Sequence, residues 1–198
     1  MGIWATSLRR VYPGVAAWTA LLGFAGVGLV ANALWIPAKA EFAQVLIDRS
    51  WERARAGETH PRPWPWADTW PVARLRVPRL RQDLFVLAGA SGESLAFGPA
   101  HVSASALPGR SDNIVIAGHR DTHFRFLREL EVGDEVIVES LSGQGRYRVD
   151  ATEVVHESRT DLVLPTGQAE LTLITCFPFD SIVPGGPLRY VVFARRVE

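Results

Sequence analysis

Cysteine, lysine and net charge are all scarce in this 198-residue chain, and each scarcity removes a class of protein. A single cysteine, Cys176, forbids an intrachain disulfide in any redox compartment, so its thiol is either a small buried hydrophobe or a working nucleophile. Lys39 is the sole lysine, and 21 basic side chains face 21 acidic ones, which leaves no basic field for nucleic acid and no acidic tail. No nucleic-acid partner is expected. His119 and His123 stand at the i, i+4 spacing of a zinc pair, but His-Arg-Asp-Thr-His lacks the glutamate of HExxH, and no cysteine pair or third clustered ligand accompanies it. Neither a metal nor an organic cofactor is required. No internal repeat is visible, and the length suits one anchor and one compact domain.

What the chain has in abundance is apolar length near its start. Val11 to Ala38 carries no charge, and the stretch from Val15 to Ile36 matches the ~20 apolar residues that cross a bilayer. Tyr12, Trp18 and Trp35 lie toward its two ends, where amphipathic rings favour the interface, and Pro37 is placed to end the helix. Ala31-Asn32-Ala33 resembles a cleavage site, yet the run exceeds the ~7 to 15 residue core of a signal peptide, so an uncleaved anchor over residues 11–37 is expected. Arg9 and Arg10 precede it and Lys39, Arg49, Arg53 and Arg55 follow, so charge counting alone leaves the orientation open. Residues 1–10 are assigned to the cytoplasm because long C-terminal domains translocate largely regardless of flanking charge.

Residues 38–66 read as a juxtamembrane helix and a linker. Phe42, Val45, Leu46, Arg49, Glu52 and Arg53 recur at helical steps, and Gly57 to Trp66 then packs three prolines into five residues, the composition of a semi-rigid spacer. The domain expected to carry the chemistry covers 67–198. Strands are predicted over 72–77, 84–88, 113–117, 135–139, 146–155, 171–175 and 188–194, with one short helix over 123–130, which points to an all-β barrel or sandwich.

Two segments present reactive side chains. Thr172, Ile174 and Cys176 share one face at the close of a strand, and a Pro/Gly-rich loop leads into Leu188-Arg189-Tyr190. If those strands pair as a hairpin, Cys176 and Arg189 lie side by side, and a guanidinium favours the nucleophilic thiolate. In Asn113-Ile-Val-Ile-Ala-Gly-His119, an apolar strand ends in glycine and delivers a histidine to a loop. An ordinary thiol, with a pKa of ~8.5, is only a few per cent ionised at neutral pH, so it needs such a base or cation. Taken singly, Cys176 also reads as core filler and Arg189 as an exposed strand arginine.

Taken together, the segments resemble the sortase family. Thr172-Leu-Ile-Thr-Cys176 is similar to the TLxTC signature, an arginine follows thirteen residues later, and Asn113 to Phe124 resembles the histidine motif. Phe97-Gly-Pro-Ala-His101 with Ala106-Leu-Pro-Gly109 is similar to the segment that precedes that motif, and the resemblance runs from about Val72 to Arg195. Gly118-His-Arg-Asp-Thr-His-Phe and Cys176-Phe-Pro-Phe-Asp-Ser most resemble the class GN sortases of Gram-negative bacteria.

The resemblance implies an eight-stranded β-barrel with short helices behind a transmembrane anchor, in the inner membrane with the catalytic domain in the periplasm. It implies Cys176 as nucleophile, His119 as acid and base, and Arg189 as oxyanion or substrate clamp. Thr175, His123 and Asp121 are supporting candidates, and His101 and His156 are structural. The implied partner is a secreted protein ending in an LPxTG-like sorting signal, cut between Thr and Gly and passed to an amine acceptor that the residues do not name. Two alternatives are a membrane-tethered binding module without catalysis and an L,D-transpeptidase-like cysteine enzyme. The Ile-Thr context of Cys176 disfavours the second, whose nucleophile usually follows Ser-His-Gly.

Overall fold

The computed structural model describes residues 13–183 and 185–197, so Arg9, Arg10, Tyr12 and the expected cytoplasmic segment 1–10 lie outside the described residues. The chain divides into two compact units, residues 1–42 and 43–198.

Helix α1 spans Pro13–Arg55. Its portion Ala17–Arg55 is long and apolar enough to cross a membrane, and in the first unit Leu21, Leu22, Phe24, Val27 and Leu29 are exposed. The stop expected at Pro37 does not occur, and the helix continues through it. A proline removes one backbone N–H and crowds the preceding turn, but the alanine-rich flanks on both sides favour helix strongly enough to carry on.

The second unit opens with the last turns of α1. Ala43, Ile47, Ser50, Trp51 and Ala54 are buried, a stripe at i, i+4, i+7, i+8 and i+11 that places one helical face on the barrel. The residues whose spacing marked this helix lie on other faces, with Val45, Arg49 and Glu52 exposed. Ile47 packs with Leu87 and Ala100, and the Trp51 ring lies 6.4 Å from that of Phe85. Gly57 ends the helix at φ 101°, its N–H bonded to the Ala54 carbonyl at 3.0 Å, the left-handed C-terminal stop that glycine adopts without strain.

The proline run beyond is no spacer. Pro61 and Pro63 are buried, the Ser50 hydroxyl donates to the Pro61 carbonyl, and Trp64 packs edge-on against Phe97 at 4.7 Å. The boundary drawn at residue 67 therefore falls inside the compact unit.

Eight strands close into a barrel: β1 (Pro71–Val77), β2 (Gln82–Ala88), β3 (Ala100–His101), β4 (Asn113–Ala117), β5 (Glu135–Ser140), β6 (Gly143–His156), β7 (Glu170–Phe177) and β8 (Leu188–Arg196). Their order around the barrel is β1-β2-β3-β4-β7-β8-β6-β5. The expected strands are all present. Unforeseen are β3, a two-residue strand, and the short helix α2 (Gly92–Phe97), while a 3-10 turn at Arg125–Glu129 stands where a helix was expected. Period-two burial explains the wall: Ala73, Leu75 and Val77 of β1 and Val136 and Val138 of β5 point inward, while Arg74 and Arg76 stay at the surface. Ile114, Ile116, Leu171, Leu173 and Val192 fill the interior with Phe124 and Tyr147. Among the described residues each strand has a hydrogen-bonded neighbour on both sides.

Candidate active site

The site grows from the parallel pairing of β4 with β7, which ends at Ala117 opposite Ile174. The ladder is carried one residue further, because the Gly118 N–H donates to the Ile174 carbonyl at 3.1 Å and the Thr175 hydroxyl donates to the Gly118 carbonyl at 2.7 Å. His119 directly follows Gly118 and Cys176 directly follows Thr175, so this bond joins the supports of the two residues. Thr175, fully buried, is thus the peg between the cysteine strand and the histidine turn.

Gly118 is glycine for a steric reason. A Cβ there would stand 2.6 Å from Cγ of Phe124, whose ring is completely buried beneath the turn. The turn closes on its own histidine: the Phe124 N–H donates to the His119 carbonyl at 3.0 Å. His119 is left exposed on top, which is where a group that must exchange protons with a ligand belongs.

On the other side β7 pairs antiparallel with β8, and Cys176 is directly opposite Arg189. The Arg189 guanidinium donates to Glu157 Oε2 at 2.7 Å and to the carbonyls of Gly186 at 2.6 Å and Leu188 at 3.0 Å. Three consecutive strands of the barrel, β4, β7 and β8, therefore supply the histidine, the cysteine and the arginine. Cys176 itself is partly exposed, unlike the core cysteine of the blander reading.

The supporting candidates divide. His123 is half-buried, with Nδ1 3.3 Å from the Thr122 hydroxyl. Burial, and secondarily the neighbouring His119, hold its imidazole below the usual histidine range. Asp121 is exposed and lies 3.4 Å from Nε of Arg120. His101 is buried at the β3–β4 contact, with Nε2 2.9 Å from the Ala106 carbonyl.

Three contributors had no sequence reading of their own. Arg120, next to His119, is buried and donates into the loop that follows Cys176. Glu157 reaches Arg189 from the end of β6, 32 residues away. Asn113, at the start of β4, donates to the Leu162 carbonyl at 2.9 Å and accepts from the Thr172 hydroxyl, so it ties the loop between β6 and β7 to the barrel. Beside it Asp112 accepts from the N–H groups of Asn113, Thr166 and Gly167, and these bonds hold its carboxyl below the usual range. Membership of the Gly118–Phe124 segment was the only signal for Arg120, and Glu157 had none.

The fold and the site together define a closed eight-stranded barrel with a strand-end cysteine between a histidine turn and a cross-strand arginine. Residues 75–197 match the family described as Sortase domain, and the chain belongs to the sortase family. It is similar to the Sortase D of Bacillus subtilis strain 168, with 35% identity over 124 residues, 62% of either chain. It is similar also to the Sortase A of Bacillus anthracis, with 27% identity over 125 residues, 61% of this chain and 57% of that one. Among solved structures it resembles Sortase A from Corynebacterium diphtheriae, with a TM-score of 0.60 and 29% identity over 67% of this chain and 63% of the other. The Clostridium perfringens Sortase D5 transpeptidase gives 0.58 and 26% over 65% and 80%. The similarity spans about three fifths of the length of the Bacillus relatives.

Proposed function

We propose that the chain is a membrane-anchored cysteine transpeptidase that cleaves an LPxTG-like C-terminal sorting signal through an acyl thioester and passes the product to an amine. The observation that carries this reading is the register: Cys176 stands opposite Arg189 in one ladder and two residues beyond the Gly118–Ile174 bond in the other. Cys176 Sγ, as thiolate, attacks the threonine carbonyl carbon, and the electron pair moves onto its oxygen. Arg189, with backbone N–H groups near the nucleophile, stabilises that oxyanion or holds the peptide carbonyls beside it. His119 as imidazolium gives its proton to the departing glycine amine as the C–N bond breaks, leaving the thioester. An incoming amine then attacks, His119 takes its proton, and the Cys176 thiolate leaves.

Residues 11–37 serve as the anchor in the inner membrane, with the domain in the periplasm. The Gly118–Phe124 and Cys176–Ser181 motifs support a class GN assignment. The test is cleavage of a sorting-signal peptide by the full chain in detergent micelles, followed by chromatography. Wild type cuts between Thr and Gly, and Cys176→Ala and His119→Ala do not. A peptide bound but never cut would make the protein a binding module instead.

A further inference from the structure

Arg120 is among the most deeply buried charged groups of the domain, its side chain 2% exposed. Its guanidinium donates to the carbonyls of Pro178 at 2.9 Å, Ser181 at 3.0 Å and Val183 at 2.6 Å. All three acceptors belong to the loop that joins Cys176 to Arg189. Among the described residues the carboxylate paired with it, that of Asp121, is 63% exposed and 3.4 Å from Nε, so the three carbonyls supply much of the compensation that a buried cation needs. A buried charge is costly unless hydrogen-bonded on all sides. The loop is accordingly folded around it, with the Ser181 hydroxyl also donating to the Val183 carbonyl at 3.0 Å. Arg189 on Gly186, Arg128 on Asp180 and the Phe179 ring on Tyr190 hold the flanks of the loop, whereas toward its tip Ile182 is fully exposed and Val183 is 72% exposed.

The sequence position of Arg120 gives the contact its meaning. It immediately follows His119, and its carbonyl partners begin two residues after Cys176. We propose that Arg120 is a positioning residue that locks the β7–β8 loop onto the histidine turn, so that the wall beside Cys176 and the Cys176–His119 spacing form as one unit. The inference rests on the transpeptidase reading for its effect on rate, but not for its effect on the loop. A lysine cannot replace the fork, because a single ammonium on a flexible stem does not span three separate carbonyls.

The test uses the full chain in micelles as wild type, Arg120→Lys, Arg120→Gln, a deletion of residues 181–183, which lie outside every strand, and the Arg120→Gln deletion double variant. Amide hydrogen exchange of residues 179–186, the pH profile of Cys176 alkylation by iodoacetamide, and kcat and KM for a sorting-signal peptide are measured for each. Arg120→Lys and Arg120→Gln are expected to raise exchange in the loop at least about tenfold, to shift the alkylation profile, and to lower kcat by about 100-fold, the cost of a misplacement near 1 Å. The deletion removes two of the three acceptors, so the double variant is expected to alkylate no more slowly than the slower single variant, the non-additivity of one shared contact. Wild-type exchange and alkylation in both Arg120 variants would overturn the inference even if the peptide is cut normally. Additive losses in the double variant would overturn it too, and this comparison stands if one Arg120 variant folds poorly. If wild type itself cuts no peptide while the loop loosens as expected, the transpeptidase reading falls and the lock remains.

Discussion

Arg189 and Glu157 form an ion pair at 2.7 Å, so the arginine that faces Cys176 across the ladder is held from the end of a third strand, β6. Glu157 is itself half exposed and backbone-bonded to Pro187 at 2.7 Å. Exposed pairs contribute only about 0 to 1 kcal/mol, so Glu157→Gln is expected to change kcat/KM of peptide cleavage by less than about fivefold. Removing one oxyanion donor costs about 2.7 to 4 kcal/mol, or about 100 to 1000-fold, so Arg189→Ala is expected to fall in or beyond that range and Arg189→Lys to recover only part of it. Equal losses in Glu157→Gln and Arg189→Ala would reduce Arg189 to a structural partner of the glutamate.

The packing of α1 predicts where the domain can be cut. A chain beginning at Trp66 lacks Ile47 and Trp51 and bares the face formed by Leu87 and Ala100, and it is expected to aggregate. One beginning at Ala43 is expected to fold. Trp51→Ala should cost about 3 to 5 kcal/mol in urea unfolding. Trp51→Phe should cost less, since the buried indole Nε1 has no hydrogen-bond partner among the described residues to lose. A soluble, fully active chain from Trp66 would show that the helix contributes nothing to the fold.

Gly118→Ala drives a methyl group against the Phe124 ring, 2.6 Å from Cγ. Overpacking of this kind costs about 1 to 3 kcal/mol, and here the strain is delivered to the turn that carries His119. Peptide cleavage is expected to fall about 100-fold, and Phe124→Leu in the same chain is expected to restore part of it by vacating the space. Undisturbed kinetics in the single variant would mean the turn tolerates more room than its packing indicates.

Two histidines make stability depend on pH. Burial holds both His101 and His123 below the usual histidine range, whereas in the unfolded chain they titrate near ~6.5. The unfolded state therefore binds more protons below that pH, so this contribution is fully present above about pH 7 and is lost as pH falls through and below ~6.5. Asp112 and Asp134, both held low, add their losses only in the carboxylate range near ~4. The urea midpoint of wild type is expected to drop between pH 8 and pH 5.5, and the His101→Gln, His123→Gln double variant to show a shallower slope. An unchanged slope would contradict the assignment.

Much of the barrel was legible because period-two burial is written residue by residue in strands such as 71–77, with Arg74 and Arg76 alternating against Ala73, Leu75 and Val77. The Cys176–Arg189 pairing was legible too, since a hairpin fixes its register locally. What was hidden depends on long-range packing. Ala43, Ser50 and Ala54 are small, so the buried face of α1 had no hydropathy peak to mark it. Pro61 and Pro63 read as a spacer because proline composition says nothing about what covers it. β3 is two residues long, below any periodic signal. Arg120 looked like any charged loop residue, because the acceptors that make it structural lie some 60 residues away and are backbone carbonyls.

In the proposed mechanism Cys176 forms a thioester with the threonine of a sorting signal, and His119 is needed to form and resolve it. Intact mass spectrometry of the full chain, mixed with an LPxTG-type peptide and quenched in acid within seconds, measures this directly. Wild type is expected to gain the mass of the peptide truncated after threonine, an adduct that hydroxylamine removes. Cys176→Ala is expected to gain nothing, and His119→Ala to accumulate it far more slowly. An adduct of equal yield on Cys176→Ala, or peptide cleaved by wild type with no dependence on the thiol, would contradict the mechanism at its first step.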